Sequence, residues 1–74
     1  MVIYINGSNE TIRIQEKEDE NFELIVPNIF LVEDDNNPQD NKEFVDINKA
    51  IKYGEELQSL RELEKWLNYF QRII

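Results

Sequence analysis

Histidine and cysteine are both missing from this 74-residue chain. No Ser-His-Asp triad, no cysteine nucleophile, no disulfide and no ordinary zinc or haem site can therefore be built from it. Glycine and proline occur only twice each, which argues against a linker or a low-complexity tail. Basic residues are scarce, with 8 Lys+Arg against 16 Asp+Glu and a net charge of −8. Direct nucleic-acid binding needs clustered cations to neutralise phosphates, so it is not expected. No apolar run approaches the roughly 20 residues needed to span a bilayer. The start, Met1-Val2-Ile3-Tyr4-Ile5-Asn6, has no basic leader and reads as a strand. The compartment expected on these grounds is the cytoplasm, and no cofactor or metal is expected.

What is present is globular. Hydrophobic residues make up 41% of the chain, with 10 Ile, 4 Phe, 3 Tyr and 1 Trp available for a core. The length suits one domain, residues 1–74. A domain this short buries only about 60% of its unfolded surface, so it depends on dense packing or on a partner.

A hairpin is predicted first. Val2, Tyr4 and Asn6 alternate with Ile3 and Ile5, and Ile12 and Ile14 alternate with Thr11 and Arg13. Between them stands Asn6-Gly7, a strong turn signal in which Gly7 supplies a positive φ. Phe22–Val26 reads as a further strand broken by Pro27, and Ile29–Val32 as a near-continuous apolar strand. Residues 33–43 read as a polar, mobile loop. Residues 44–53 fit two patterns. Val45, Ile47, Ile51 and Tyr53 at period 2 favour a strand, whereas Phe44, Ile47 and Ile51 with Asp46 as cap and Gly54 as stop fit a helix. The strand is the expectation taken.

The last segment predicts an amphipathic helix. Ser59-Leu60-Arg61-Glu62 has the form of a capping box. Leu60, Leu63, Leu67, Phe70 and Ile74 recur at helical spacing, with Trp66 and Ile73 beside them, over roughly 140° of arc at about 100° per residue. The predicted fold is α+β: a small antiparallel sheet of three to five strands with one C-terminal amphipathic helix packed on it. Trp66 is assigned to the core, and Tyr69 is open between core and partner contact.

Charge is distributed unevenly. Residues 1–46 hold 12 acids against 3 bases, and residues 47–74 hold 4 against 5. Eight acids fall in two clusters: Glu16, Glu18, Asp19, Glu20 and Glu23, then Glu33, Asp34 and Asp35. Strand pairing is expected to bring both clusters to one sheet edge, where carboxylates about 6.8 Å apart along a strand would approach phosphate spacing. Catalysis by paired carboxylates is not expected, because polar stretches raise no carboxylate pKa. An EF-hand reading of Asp35, Asn37, Gln39 and Asp46 fails on Asp40 where glycine is required.

The short length, the acidic clusters at 16–23 and 33–35, and strands followed by Ser59-Leu60-Arg61-Glu62-Leu63-Glu64-Lys65-Trp66-Leu67 give a class-level resemblance. The chain resembles small acidic inhibitors of phages and mobile elements, the anti-CRISPR and DNA-mimic proteins. That resemblance implies a non-enzymatic inhibitor that occupies a basic nucleic-acid channel. Its partner would be a basic nucleic-acid-binding protein or nuclease complex, with no direct nucleic acid and no membrane. The eight clustered acids would form the partner-binding surface. The alternatives are an antitoxin or immunity protein against a basic nuclease, and a structural module self-associating as a homodimer through a strand edge or through Trp66, Tyr69 and Ile73.

Overall fold

A computed structural model describes residues 1–24 and 26–73, with the side chain of Ile73 excepted. Four strands form one antiparallel sheet in chain order: β1 (Val2–Tyr4), β2 (Ile12–Glu16), β3 (Phe30–Asp34) and β4 (Lys42–Phe44). A single helix, α1 (Ile47–Ile73), packs its first half on one face. The fold is the expected α+β arrangement, with four strands.

The hairpin forms as the alternation requires, with Ile3 opposite Ile14. Its connection is wider than a two-residue turn. The Ile5 N–H donates to the Ile12 carbonyl at 2.9 Å, and buried Ser8 donates its hydroxyl to the Ile5 carbonyl at 2.6 Å. Gly7 takes φ +86° there, and Asn9 and Glu10 are also left-handed. Polar groups within the turn thus replace the missing ladder bonds.

Strand β3 lies between β2 and β4 and alternates in burial, because α1 covers one face of the sheet. Phe30, Val32 and Asp34 point into the core side, while Leu31 and Glu33 are half-buried. The core consists of Ile5, Ile12, Ile14, Phe30, Val32, Ala50 and Leu57.

Several expectations are overturned. Residues 44–53 are not a strand: β4 ends at Phe44 and α1 begins at Ile47. Asp46 caps it, accepting the Asn48 N–H on its side chain at 2.8 Å and the Ala50 N–H on its carbonyl at 3.1 Å. Gly54 does not stop the helix. A Cβ there would lie 2.8 Å from Ile5 Cδ1, so Gly54 lets the helix approach the sheet closely. Ser59 is mid-helix and caps nothing, because the helix starts at Ile47. Phe22–Val26 is not a strand either. Among the described residues only an isolated bridge, Glu18 to Leu24, forms there, and Phe22 takes φ +62°. Ile25 lies outside the described residues.

Residues 33–43 are not a free loop. Glu33 and Asp34 end β3, Pro38–Asp40 make one 3-10 turn, and Lys42–Phe44 are β4. The Asn41 side chain accepts the Asp34 N–H at 2.8 Å, and the Tyr53 hydroxyl donates to the Asp40 carbonyl. This segment is tied to the sheet and to α1.

The helix corrects the sequence reading most. Ala50, Gly54 and Leu57 face the sheet, followed by Arg61. The residues expected to pack, Leu60, Leu63, Trp66, Leu67 and Phe70, are instead exposed. On a wheel of about 100° per residue, the two sets are centred roughly 150° apart. The helix changes its apolar side between Leu57 and Leu60, and its end runs past the sheet. The molecule is accordingly long, 52 × 22 × 18 Å. Among the described residues no helix is long and apolar enough to cross a membrane.

Candidate functional site

The sheet register separates the two acidic clusters. Glu16 pairs with Phe30 and Ile12 pairs with Asp34, so the clusters sit at opposite ends of the β2–β3 pair. Both strands are interior ones. The single acidic edge expected from the sequence does not form.

The second cluster is neutralised within the fold. Arg13 on β2 stands opposite Glu33 and reaches Glu33 Oε2 at 3.0 Å and Asp35 Oδ1 at 2.6 Å. The Gln15 amide donates to the other Glu33 oxygen. The hydrogen bond to Asp35 holds the Arg13 guanidinium above its ordinary pKa, against the opposing effect of burial. Asp34 is only 1% exposed, and its Oδ2 accepts Arg61 Nε at 2.9 Å. Arg61 also donates to Asp40 and, at 3.2 Å, to Glu64. Its hydrogen bond to Asp34 raises the guanidinium pKa, and the bond to Asp40 adds to this over the cost of burial. Asp34 is a structural anchor between β3 and α1, unavailable to a partner. Glu33 is half-buried and paired; Asp35 is half-exposed and paired.

The first cluster differs. Glu18, Asp19, Glu20 and Glu23 are exposed, and Glu16 is half-buried at the end of β2. Among the described residues none of the five forms an ion pair, whereas neighbouring Lys17 is engaged by Glu43. Asp19 organises the turn: its side chain accepts the Asn21 N–H at 2.8 Å and the Glu23 N–H at 3.0 Å. Its own N–H donates to the Glu23 carbonyl at 2.8 Å. The chain therefore closes tightly between Glu18 and Leu24. This turn carries Phe22 outward, 84% exposed among the carboxylates.

Phe22 was not singled out by sequence reasoning. Its signal was a lone aromatic inside an acidic run, which the strand assignment for 22–26 had absorbed. A charged rim around an exposed aromatic can steer a basic partner and then anchor it. At the other end of the molecule, Trp66, Tyr69 and Phe70 cluster on α1 with ring centroids 5.8–6.2 Å apart. Trp66 is 59% exposed and does not join the core. Tyr69 lies on the same exposed arm.

No family model, no curated protein and no solved structure matches this chain. Among the described residues no group of three or more acidic side chains is arranged to hold a metal ion. The depressions on the surface are shallow and open. One, lined by Glu62, Lys65, Trp66 and Tyr69, has a single helix for its wall.

Proposed function

We propose that this protein is a non-enzymatic inhibitor that docks on a basic, nucleic-acid-processing protein or complex in the cytoplasm. The docking surface is the turn carrying Glu16, Glu18, Asp19, Glu20 and Glu23, with Phe22 as its apolar anchor. The observation that carries this reading is the contrast between the two acidic clusters. Glu33, Asp34 and Asp35 are paired within the fold, while the acids of 16–23 are displayed without counter-ions among the described residues. Like charges left together on so small a domain disfavour its compact state. A partner cation relieves that repulsion, which supports a use in binding. The acids would stand opposite Lys and Arg of the target in place of phosphates. An immunity protein against a basic nuclease would use the same surface.

The test is capture from nuclease-treated lysate by the tagged protein, washed at about 0.1 M and then about 1 M salt, where the screening length falls from roughly 10 Å to 3 Å. A nucleic-acid-binding protein released by the second wash is expected. The variant Glu18→Gln/Asp19→Asn/Glu20→Gln should lose that capture while keeping its circular dichroism. Asn at position 19 retains a side-chain carbonyl for the turn. Capture that is unchanged by both salt and the triple variant would overturn the reading.

A further inference from the structure

We infer that the projecting half of α1 is a homodimer interface, in which a second copy of this chain packs antiparallel against Leu60, Leu63, Trp66, Leu67 and Phe70. The inference does not rest on the acidic turn, and it is tested separately from it.

Spacing comes first. Leu60, Leu63, Leu67 and Phe70 follow one another at steps of three, four and three, the seam of a helix that packs on another helix. Trp66 widens the seam on one side, as in bundle helices. These five side chains are 43–59% exposed. The chain's own sheet cannot cover them. It lies against Ala50, Gly54, Leu57 and Arg61, roughly 150° around the helix at about 100° per residue. Facing the sheet side beyond Arg61 are Glu64, Lys65, Asn68 and Arg72, all exposed.

The same placement makes a second copy fit. Because each sheet sits on the far side of its helix, two copies can bring their seams together with both sheets outward and no collision. In an antiparallel pairing, Leu60 and Leu63 of one copy meet Phe70 and Leu67 of the other, with the two-fold axis near residue 65. Leucine layers then oppose leucine and phenylalanine layers throughout.

Area and charge agree with this occupant. At about 200 Å² for a large apolar side chain, the exposed seam amounts to about 500 Å² per copy. The pair would bury about 1,000 Å², the lower bound for a specific interface. A modest dimer is expected, with Kd on the order of 10 µM. The acidic turn lies beside the N-terminal end of α1: Glu16 pairs with Phe30, and Phe30 pairs with Phe44, which precedes the helix. Antiparallel packing puts the two turns at opposite ends, about 50 Å apart by helix rise and far beyond a Debye length of about 8 Å. Parallel packing would set them side by side.

The experiment is sedimentation equilibrium of the full chain from about 1 to 500 µM, at about 0.1 M and 1 M NaCl. A concentration-dependent dimer that persists at 1 M salt is expected. The variant Leu63→Glu/Leu67→Glu should be monomeric throughout, with the dispersed amide spectrum of the sheet unchanged. Orientation is read by double electron–electron resonance on Lys52→Cys, the sole thiol in the chain. Labels in an antiparallel dimer would be separated by about 40 Å along the axis, at 1.5 Å per residue. A wild-type monomer at 500 µM would overturn the proposal. So would a dimer unaffected by the double substitution, or labels within about 15 Å. Loss of the salt-sensitive capture described above would leave this result untouched.

Discussion

Replacing Arg61 by alanine is the most demanding test of how the sheet holds the helix. Asp34 is 1% exposed and owes most of its charge compensation to Arg61 Nε at 2.9 Å. With Arg61 gone, one polar contact to the carboxylate remains among the described residues, the Asn36 N–H at 3.1 Å. Removing one member of a buried pair costs about 3–5 kcal/mol, because the other charge is left desolvated. The contacts to Asp40 and Glu64 add little, since their side chains are 35% and 51% exposed. A chain this size has a total stability of about 4–11 kcal/mol. Arg61→Ala should therefore remove about a quarter or more of it, lowering Tm by about 12–40 °C at about 4–8 °C per kcal/mol. The companion Asp34→Asn removes the charge but keeps an acceptor for Asn36. Arg61→Ala in that background should cost at least about 2 kcal/mol less than in the wild type. Urea unfolding followed at 222 nm measures all four corners, at low protein concentration so that dimerisation does not shift the midpoints. A cost below about 1 kcal/mol for Arg61→Ala, or strict additivity, would refute the buried-pair argument.

Two further outcomes follow from the packing of α1. Gly54→Ala gains about 1 kcal/mol of helix propensity but drives a Cβ to 2.8 Å from Ile5 Cδ1, so it should destabilise by up to about 2 kcal/mol; in an Ile5→Ala background the same change should stabilise, and denaturant midpoints read the reversal of sign. Tyr53 is held above its ordinary pKa of 10.0, first by burial and then by Asp40. The folded pKa lies above the unfolded one, so the stabilisation is complete below pH 10 and is lost as pH rises through the folded value. Thermal midpoints should fall above pH 10, and Tyr53→Phe should remove that fall while costing about 0.5–1.5 kcal/mol at pH 7 through the hydroxyl's bond to the Asp40 carbonyl.

Much of the sheet was legible because its signals are local. Alternation around Asn6-Gly7 is enough to pair β1 with β2, and the isoleucines at 12 and 14 identify the buried face. The helix start was hidden by its own packing. Ala50 and Gly54 are small because the helix runs close to Ile5 and Ile14, so the face that packs looks weakly apolar. The loud stripe from Leu60 onward reads in the sequence as the core face, although it is exposed. A helical wheel reports that one side is apolar and is silent on what covers it. Asp34 is hard to read for a related reason. It occupies the third inward position of β3 after Phe30 and Val32, and its inward direction follows from period 2. Its sequence neighbours Glu33 and Asp35 made it look like surface charge. The cation that compensates it lies 27 residues away, on a helix face whose direction depends on the packing of Ala50 and Leu57. Clustering of charge in sequence is therefore a poor guide to charge on a surface, because alternate residues of a strand point to opposite faces.

The two ends of the molecule differ in the contacts they would offer a partner. Along the sheet, Arg13 bridges Glu33 and Asp35, Lys17 meets Glu43, and Arg61 gathers Asp34, Asp40 and Glu64. Three of the eight cations thus serve six acids, and the arrangement stitches β2, β3, β4 and α1 together. Beyond these pairs, the acids of 16–23 stand around Phe22 at one end without ion-pair partners among the described residues, and the exposed seam of Leu60, Leu63, Trp66, Leu67 and Phe70, flanked by Glu62 and Lys65, lies at the other. Salt weakens contact at the first end and leaves contact at the second intact. Joined antiparallel at the apolar end, two copies would form a rod with an acidic turn at each tip. Such a rod would engage paired basic sites with an avidity that one copy lacks, provided the sites match the separation of the tips. Inhibition by the wild type should then exceed that of the Leu63→Glu/Leu67→Glu monomer on a target with two such sites, and equal it on a target with one.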